Sequence, residues 1–161
     1  MSKKQIKIDF LFLDNEVCTR CKQTEKELEA SLDSIGELLQ AAGYNFTLNK
    51  VKIDSREKAA EYKFTKSPTI RVNNIDIGFE QTESQCTDCG DICECKGGTT
   101  CRTWQMEGQE YETPPKELII DRLLQAIYGN VAIQKQDYEL PENLDNFYSG
   151  IEKKRKDKCC D

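Results

Sequence analysis

Cys18 and Cys21 frame the segment Cys18-Thr19-Arg20-Cys21, where an apolar strand pattern gives way to a helix pattern. Two thiols three positions apart at a helix start can close a small disulfide, or be held as reactive thiolates. A free cysteine has a pKa near 8.5, so only about 3% is thiolate at pH 7. A helix N-terminus and an adjacent cation both lower that value. Arg20, directly before the second sulfur, supplies the cation. The sharp expectation is a dithiol/disulfide couple, with Cys18 the more exposed nucleophile and Cys21 the resolving thiol. The competing expectation is a structural pair, or half of a zinc site. Asp14 is a candidate proton relay to Cys21, although its type and place suit a helix cap better.

A second group follows the spacing Cys86-x-x-Cys89-x-x-x-Cys93-x-Cys95-x5-Cys101. These five thiols lie in a stretch from Gln81 that is rich in Gly, Thr, Asp and Glu and nearly devoid of apolar residues. So polar a segment reads as an inserted loop and needs something to order it. A tetrahedral thiolate site would do so, with zinc the usual occupant and copper(I) or trivalent arsenic also suited to sulfur. The spacing matches neither standard ferredoxin run. Glu80, Glu83, Asp88, Asp91 and Glu94 surround these sulfurs, which raises thiol pKa values and favours cation binding over catalysis. The alternative is one or two disulfides bracing the loop. A third group, Cys159-Cys160, follows Lys153, Lys154, Arg155, Lys156 and Lys158. A mobile tail there could relay electrons or a soft ion to Cys18 and Cys21, or have no role.

Composition narrows the field. The 161 residues suit one domain plus a tail, and the net charge of −6 argues against nucleic acid as a partner. No stretch approaches transmembrane length, and no apolar leader segment precedes the first strand pattern, so the expected compartment is the cytoplasm. Nine cysteines in a reducing compartment point to redox or metal chemistry rather than a disulfide scaffold. Histidine is absent, which removes every Cys-His dyad and every mixed Cys/His zinc site.

The elements that must position these groups are readable from periodicity. Ile6 to Leu13 predicts a first strand, ending in a run that suits burial on both faces. Leu28, Leu32, Ile35, Leu39 and Ala42 recur at helical spacing after Cys21, and Gly43 ends that helix. Phe46 to Ile53 predicts a second strand, with a phase shift that implies a bulge or two-sided burial. Ser55 caps a short helix through about Phe64. Ser67-Pro68-Thr69 opens a third strand, and Asn73-Asn74 turns it into a fourth. Arg102 to Met106 and Tyr111-Glu112 predict a short extra hairpin across Glu107-Gly108. Pro114-Pro115 starts a last core helix that ends at Gly129. An amphipathic helix follows Pro141, and Glu152 to Asp161 reads as a mobile end.

Strand, CxxC at a helix start, strand, helix, Ser-Pro-Thr, hairpin, helix is an order that resembles the thioredoxin superfamily over about residues 5–130. The resemblance implies that Pro68 is a cis-proline beside the dithiol, keeping that face open and presenting a backbone edge to substrate. More closely, the chain is similar to a small bacterial and archaeal family carried as a domain of unknown function. The matching stretches are Phe12-Leu13-Asp14 through Cys21, Ser67 through Asn73, the loop cysteines, Pro114-Pro115-Lys116-Glu117 and Leu140 through Leu144. The Trp-Cys-Gly-Pro-Cys signature of thioredoxin is missing, and its buried acid has no match.

The expected architecture is therefore α/β, a thioredoxin-like βαβαββα domain over 1–130. It carries a cysteine-rich insertion at 80–101 and a C-terminal extension at 131–161. The expected function is thiol–disulfide exchange through Cys18 and Cys21, with Arg20 and Pro68 assisting, on a protein, small-molecule, sulfur or metalloid substrate. Its rival is a non-catalytic soft-metal or metalloid carrier. Dithiol chemistry needs no cofactor; zinc or another thiophilic metal is the candidate for the cysteine-rich loop.

Overall fold

The computed structural model describes residues 4–14, 16, 18–79, 82–86, 93, 99–129 and 138–159, the last five by backbone alone. It is a mixed α/β fold around a central four-stranded sheet, with four helices among the described residues. The sheet holds β1 (Lys4–Phe12), β2 (Tyr44–Lys52), β3 (Thr69–Val72) and β4 (Ile75–Asp76) in the order β2-β1-β3-β4. β1 runs parallel to β2 and antiparallel to β3, and β3 is antiparallel to β4.

β1 is central because its sequence tolerates burial on both faces. Ile6 and Ile8 alternate with polar neighbours, and then Phe10 to Leu13 are all buried. A parallel neighbour requires a crossover, supplied by α1 (Thr19–Ala41). Its buried stripe (Cys21, Thr24, Leu28, Ser31, Leu32, Ile35, Leu39) has helical spacing. Each fully buried Leu or Ile there contributes about 1.5–3 kcal/mol. α1 packs beside α3 (Lys116–Tyr128), which starts after Pro115 and ends at Gly129 as the sequence predicts.

β2 differs from expectation. It pairs residue for residue with β1 from Lys4↔Tyr44 to Phe12↔Lys52, so it has no bulge. It is an edge strand, and its apparent phase shift reflects exposure rather than two-sided burial. α2 (Arg56–Tyr62) is capped by the Ser55 hydroxyl, which accepts from the Lys58 N–H at 3.2 Å, and it ends at left-handed Lys63. Asn73 and Asn74, with φ of 50° and 70°, make the tight β3–β4 turn.

The cysteine-rich insertion is not a plain loop. Its described ends form an antiparallel ribbon of β5 (Glu83–Cys86) and β6 (Thr99–Arg102). A second hairpin, β7 (Trp104–Met106) and β8 (Gln109–Tyr111), follows across Glu107-Gly108. The charged C-terminal end also departs from expectation, since α4 (Glu142–Cys159) runs through it as helix. Arg56 binds Asp145, Ser149 and Glu152, and the Tyr148 hydroxyl donates to the Ile53 carbonyl at 2.8 Å. Burial raises the Tyr148 pKa, which keeps that donor protonated. Asn143 grips β6 twice, accepting from the Thr100 N–H at 2.9 Å and donating to its carbonyl at 3.1 Å. Gly150 permits close approach, because a Cβ there would stand 2.1 Å from the Cys93 carbonyl oxygen. Among the described residues no helix is long and apolar enough to cross a membrane.

Candidate thiol site

Cys18 occupies the N-cap of α1, and its own N–H donates to the Asp14 carboxylate at 2.9 Å. Asp14 is thus seen as a capping group, the more ordinary of its two expected roles. Cys21, one turn in, faces the loop before β3. Its sulfur lies 3.4 Å from the Ser67 hydroxyl oxygen. That oxygen already accepts from the Leu13 N–H at 3.0 Å, so the hydroxyl proton is free to point at the sulfur. The Ser67–Pro68 bond is cis, as the resemblance implies, whereas Pro68 is buried rather than lining an open face. Cys21 therefore lies against the residue preceding Pro68.

Exposure contradicts the expectation for Cys18. Both Cys18 and Cys21 are 0% exposed. The cause is the β5–β6 ribbon, which lies over the start of α1. Register places Ser84, Cys86, Thr99 and Cys101 on one face of the ribbon, with Ser84 opposite Cys101 and Cys86 opposite Thr99. Cys86 and Cys101 are diagonal neighbours on that face, and their sulfurs meet Cys18. The Cys18 and Cys86 sulfurs are 3.8 Å apart, and the sulfurs of Cys18, Cys86 and Cys101 all lie within 4.8 Å of one another. All three are buried, and neither they nor Cys21 is disulfide-bonded.

The Cys21 pKa is raised well above the ordinary thiol value. Its hydrogen bond with Cys18 is the largest cause, followed by burial and the charge of Cys18. The Ser67 hydroxyl and the Asp14 backbone N–H pull the other way without winning. Cys21 thus keeps its proton at neutral pH.

Arg20 does a different job from the one its position suggests. Its guanidinium donates to the carbonyls of Gln85 at 2.7 Å, Ser84 at 3.3 Å and Cys101 at 3.4 Å, and pairs with Glu112 at 2.9 Å. It clamps the ribbon onto α1, its charge spent on carbonyls and a carboxylate. A second clamp is Arg102, fully buried, bidentate to Asp76 at 2.6 and 2.7 Å and stacked over Trp104. Gly78 leaves room for it, since a Cβ there would lie 2.7 Å from an Arg102 nitrogen. Lys66 also binds Glu83, on β5, at 2.7 Å. Burial would raise the Glu83 pKa, but Lys66 and Thr100 outweigh it and hold the carboxyl below its usual range.

The backbone edge beside Pro68 is also taken. The Ser67 carbonyl accepts from the Arg102 N–H at 2.7 Å, so β6 fills the position expected to stay open for substrate. Cys93 is disulfide-bonded, with its sulfur 3.3 Å from the Thr99 hydroxyl. Cys89, Cys95 and Cys160 lie outside the described residues, as does the side chain of Cys159.

Spacing along the chain separates Cys18 and Cys21 from the loop cysteines, whereas the fold merges Cys18 with Cys86 and Cys101. A signal for this exists in Ser84-x-Cys86 and Thr99-x-Cys101, whose period of two is that of one ribbon face. Ser67 and Arg102 carry no such signal, because their partners are distant in sequence.

Comparison with known proteins adds kinship without an activity. The chain is 26% identical over 119 residues to an uncharacterized protein of Archaeoglobus fulgidus, a match covering 71% of this chain and 82% of the relative. No solved structure matches it at a significant level. The model of the domain of unknown function DUF2703 matches residues 6–122, which include Cys18, Cys21, Cys86 and Cys101, and the chain belongs to that family.

Proposed function

We propose that the protein binds a soft metal ion or metalloid through Cys18, Cys86 and Cys101. The observation that carries this reading is the convergence of three buried sulfurs, from two segments far apart in sequence, within 4.8 Å of one another. Metal–thiolate bonds of about 2.3 Å in tetrahedral geometry put sulfurs about 3.8 Å apart. The Cys18–Cys86 separation of 3.8 Å equals that edge, and Cys101 lies within 4.8 Å of both. Soft cations select sulfur ligands over oxygen, and no imidazole competes in a chain without histidine. Titration of the reduced protein with Cd²⁺, followed by sulfur-to-metal charge-transfer absorbance, tests the reading. One ion per chain, lost in Cys18→Ser, Cys86→Ser and Cys101→Ser, is the expected result. No saturable binding by the reduced wild type would overturn it.

A second reading is thiol–disulfide exchange by Cys18 and Cys21 on a thioredoxin-like scaffold. It is supported by the β2-β1-β3-β4 order, the CxxC pair at the start of α1, and the contact of Cys21 with the residue before Pro68. In this reading Cys18 attacks a substrate disulfide and forms a mixed disulfide. Cys21 then displaces the substrate thiol, so two electrons and two protons leave the dithiol. The ribbon must first lift, because neither sulfur is exposed. Mass analysis of peptides from oxidised protein distinguishes the two: a Cys18–Cys21 disulfide that a dithiol re-reduces supports exchange.

A further inference from the structure

We infer that Cys18 is shared between two exclusive states of the site. In one it holds a soft ion together with Cys86 and Cys101. In the other it is joined to Cys21 in a disulfide, and the ion is expelled. This rests on the ion-binding reading above and adds a redox control to it.

The placement of the four sulfurs carries the inference. Cys18 and Cys21 belong to the start of α1, whereas Cys86 and Cys101 belong to the β5–β6 ribbon. Cys18 faces both ways: its sulfur stands 3.8 Å from that of Cys86, and it also hydrogen-bonds Cys21. Cys21 rests against Ser67, with 3.4 Å between its sulfur and the hydroxyl oxygen. Among the described residues, the group of sulfurs within 4.8 Å of one another does not include it. Only a thiolate ligates, and a disulfide sulfur is no longer one. Closing the Cys18–Cys21 pair therefore withdraws the helix's share of the site and leaves the ribbon's. The exclusion holds for any coordination number, because it needs only that Cys18 be among the ligands.

Access decides which partner Cys18 takes on oxidation. Cys18 and Cys21 are both 0% exposed, so an oxidant reaches them only when the ribbon lifts. Lifting breaks the bonds from Arg20 to the carbonyls of Ser84, Gln85 and Cys101, and it carries Cys86 and Cys101 away. Cys21, three residues along the same element, stays beside Cys18. The disulfide then prevents the three-sulfur set from forming again when the ribbon returns.

The oxidant is a small-molecule disulfide, RSSR. Cys18 attacks one of its sulfurs, so the RS–SR bond breaks, a Cys18–SR bond forms and one RS⁻ leaves. Cys21 then attacks the Cys18 sulfur. The Cys18–SR bond breaks, the Cys18–Cys21 bond forms and the second RS⁻ leaves. Two electrons pass from the cysteine pair to RSSR, and the two thiol protons end on the departing thiolates. When Cys18 enters as a ligand, its bond to the ion breaks in place of an S–H bond and one product stays as RS⁻. The ion keeps its valence throughout.

The experiment uses the full-length protein, reduced and loaded with Cd²⁺ under anaerobic conditions. Graded amounts of an aromatic disulfide are added, with a chelator too weak to strip the reduced protein by itself. Native mass spectrometry at isotopic resolution reads Cd²⁺ and hydrogens lost on the same chain, and peptide mapping after alkylation locates the disulfide. Two species are expected. One holds Cd²⁺ with the pair reduced, and the other holds a Cys18–Cys21 disulfide and no Cd²⁺, growing in proportion as the first declines. Isolated oxidised protein should bind Cd²⁺ about 100-fold or more weakly, and a phosphine reductant should restore binding. A chain carrying both Cd²⁺ and the Cys18–Cys21 disulfide would overturn the inference. So would a Cys18–Cys86 disulfide in its place, or Cd²⁺ retained with no disulfide formed under excess oxidant. Failure of the reduced protein to bind Cd²⁺, read before any oxidant is added, would instead remove the ion-binding reading itself.

Discussion

The sulfur of Cys86 sits 3.8 Å from that of Cys18, across 68 residues of sequence. This contact turns two separate cysteine motifs into one site. It depends on the β5–β6 ribbon being held over the start of α1, and both the contact and the clamps that hold it can be tested.

The ribbon cysteines should matter to ion binding as much as the CxxC cysteine. Cys86→Ser and Cys101→Ser are expected to lower soft-ion affinity by about 100-fold or more, matching Cys18→Ser. Competition against a chromophoric chelator measures this. Full affinity in both ribbon variants would separate the two motifs again.

Arg20→Gln should loosen the ribbon without altering any sulfur. Loss of charge-assisted bonds to the carbonyls of Ser84, Gln85 and Cys101 is expected to cost about 1.5–3 kcal/mol. Urea unfolding gives the stability change. Reaction of the native protein with an aromatic disulfide should also speed up, because the thiols under the ribbon become reachable. An unchanged thiol reaction rate would mean that Arg20 does not control access.

Asp76→Asn removes the carboxylate that neutralises fully buried Arg102. Breaking one side of such a pair leaves an uncompensated charge, with an expected loss of about 3 kcal/mol in denaturant unfolding. Gly78→Ala should perturb the same pair from the other side, since the new methyl would meet an Arg102 nitrogen at 2.7 Å. Wild-type stability in both variants would exclude this pair as an anchor of the insertion.

Acid should undock the ribbon through Glu83. Its folded pKa lies below the ordinary 4.5, held there by Lys66 and Thr100 against burial. A depressed carboxyl contributes stability that is fully present above its unfolded pKa and is lost as pH falls through the folded value. Stability measured downward from pH 6 should therefore begin to fall near 4.5 in the wild type. Glu83→Gln should flatten that part of the profile. A variant profile parallel to the wild type would assign the acid sensitivity to other carboxylates.

Local pattern made much of this architecture legible. The apolar run Phe10 to Leu13 marks a strand covered on both faces, the spacing from Leu28 to Leu39 marks the crossover helix, and Ser55, Asn73-Asn74 and Pro115 punctuate the rest. Each signal concerns neighbours in the chain, where backbone geometry alone dictates which side chains share a face. The CxxC pair at the α1 start belongs to the same class of information.

The partnership of Cys18 with Cys86 and Cys101, the closing of both CxxC sulfurs from solvent, and the use of Arg20 as a clamp are of another kind. They follow from where the ribbon docks, and docking is set by long-range pairs such as Arg102 with Asp76, Asn143 with Thr100, and the Arg102 N–H with the Ser67 carbonyl. Composition reveals that an arginine or a cysteine is present but not what it will meet, because those encounters depend on how separate elements pack in space. The residue types therefore mark which side chains could do thiol chemistry, while the three-dimensional contacts decide which sulfurs lie together.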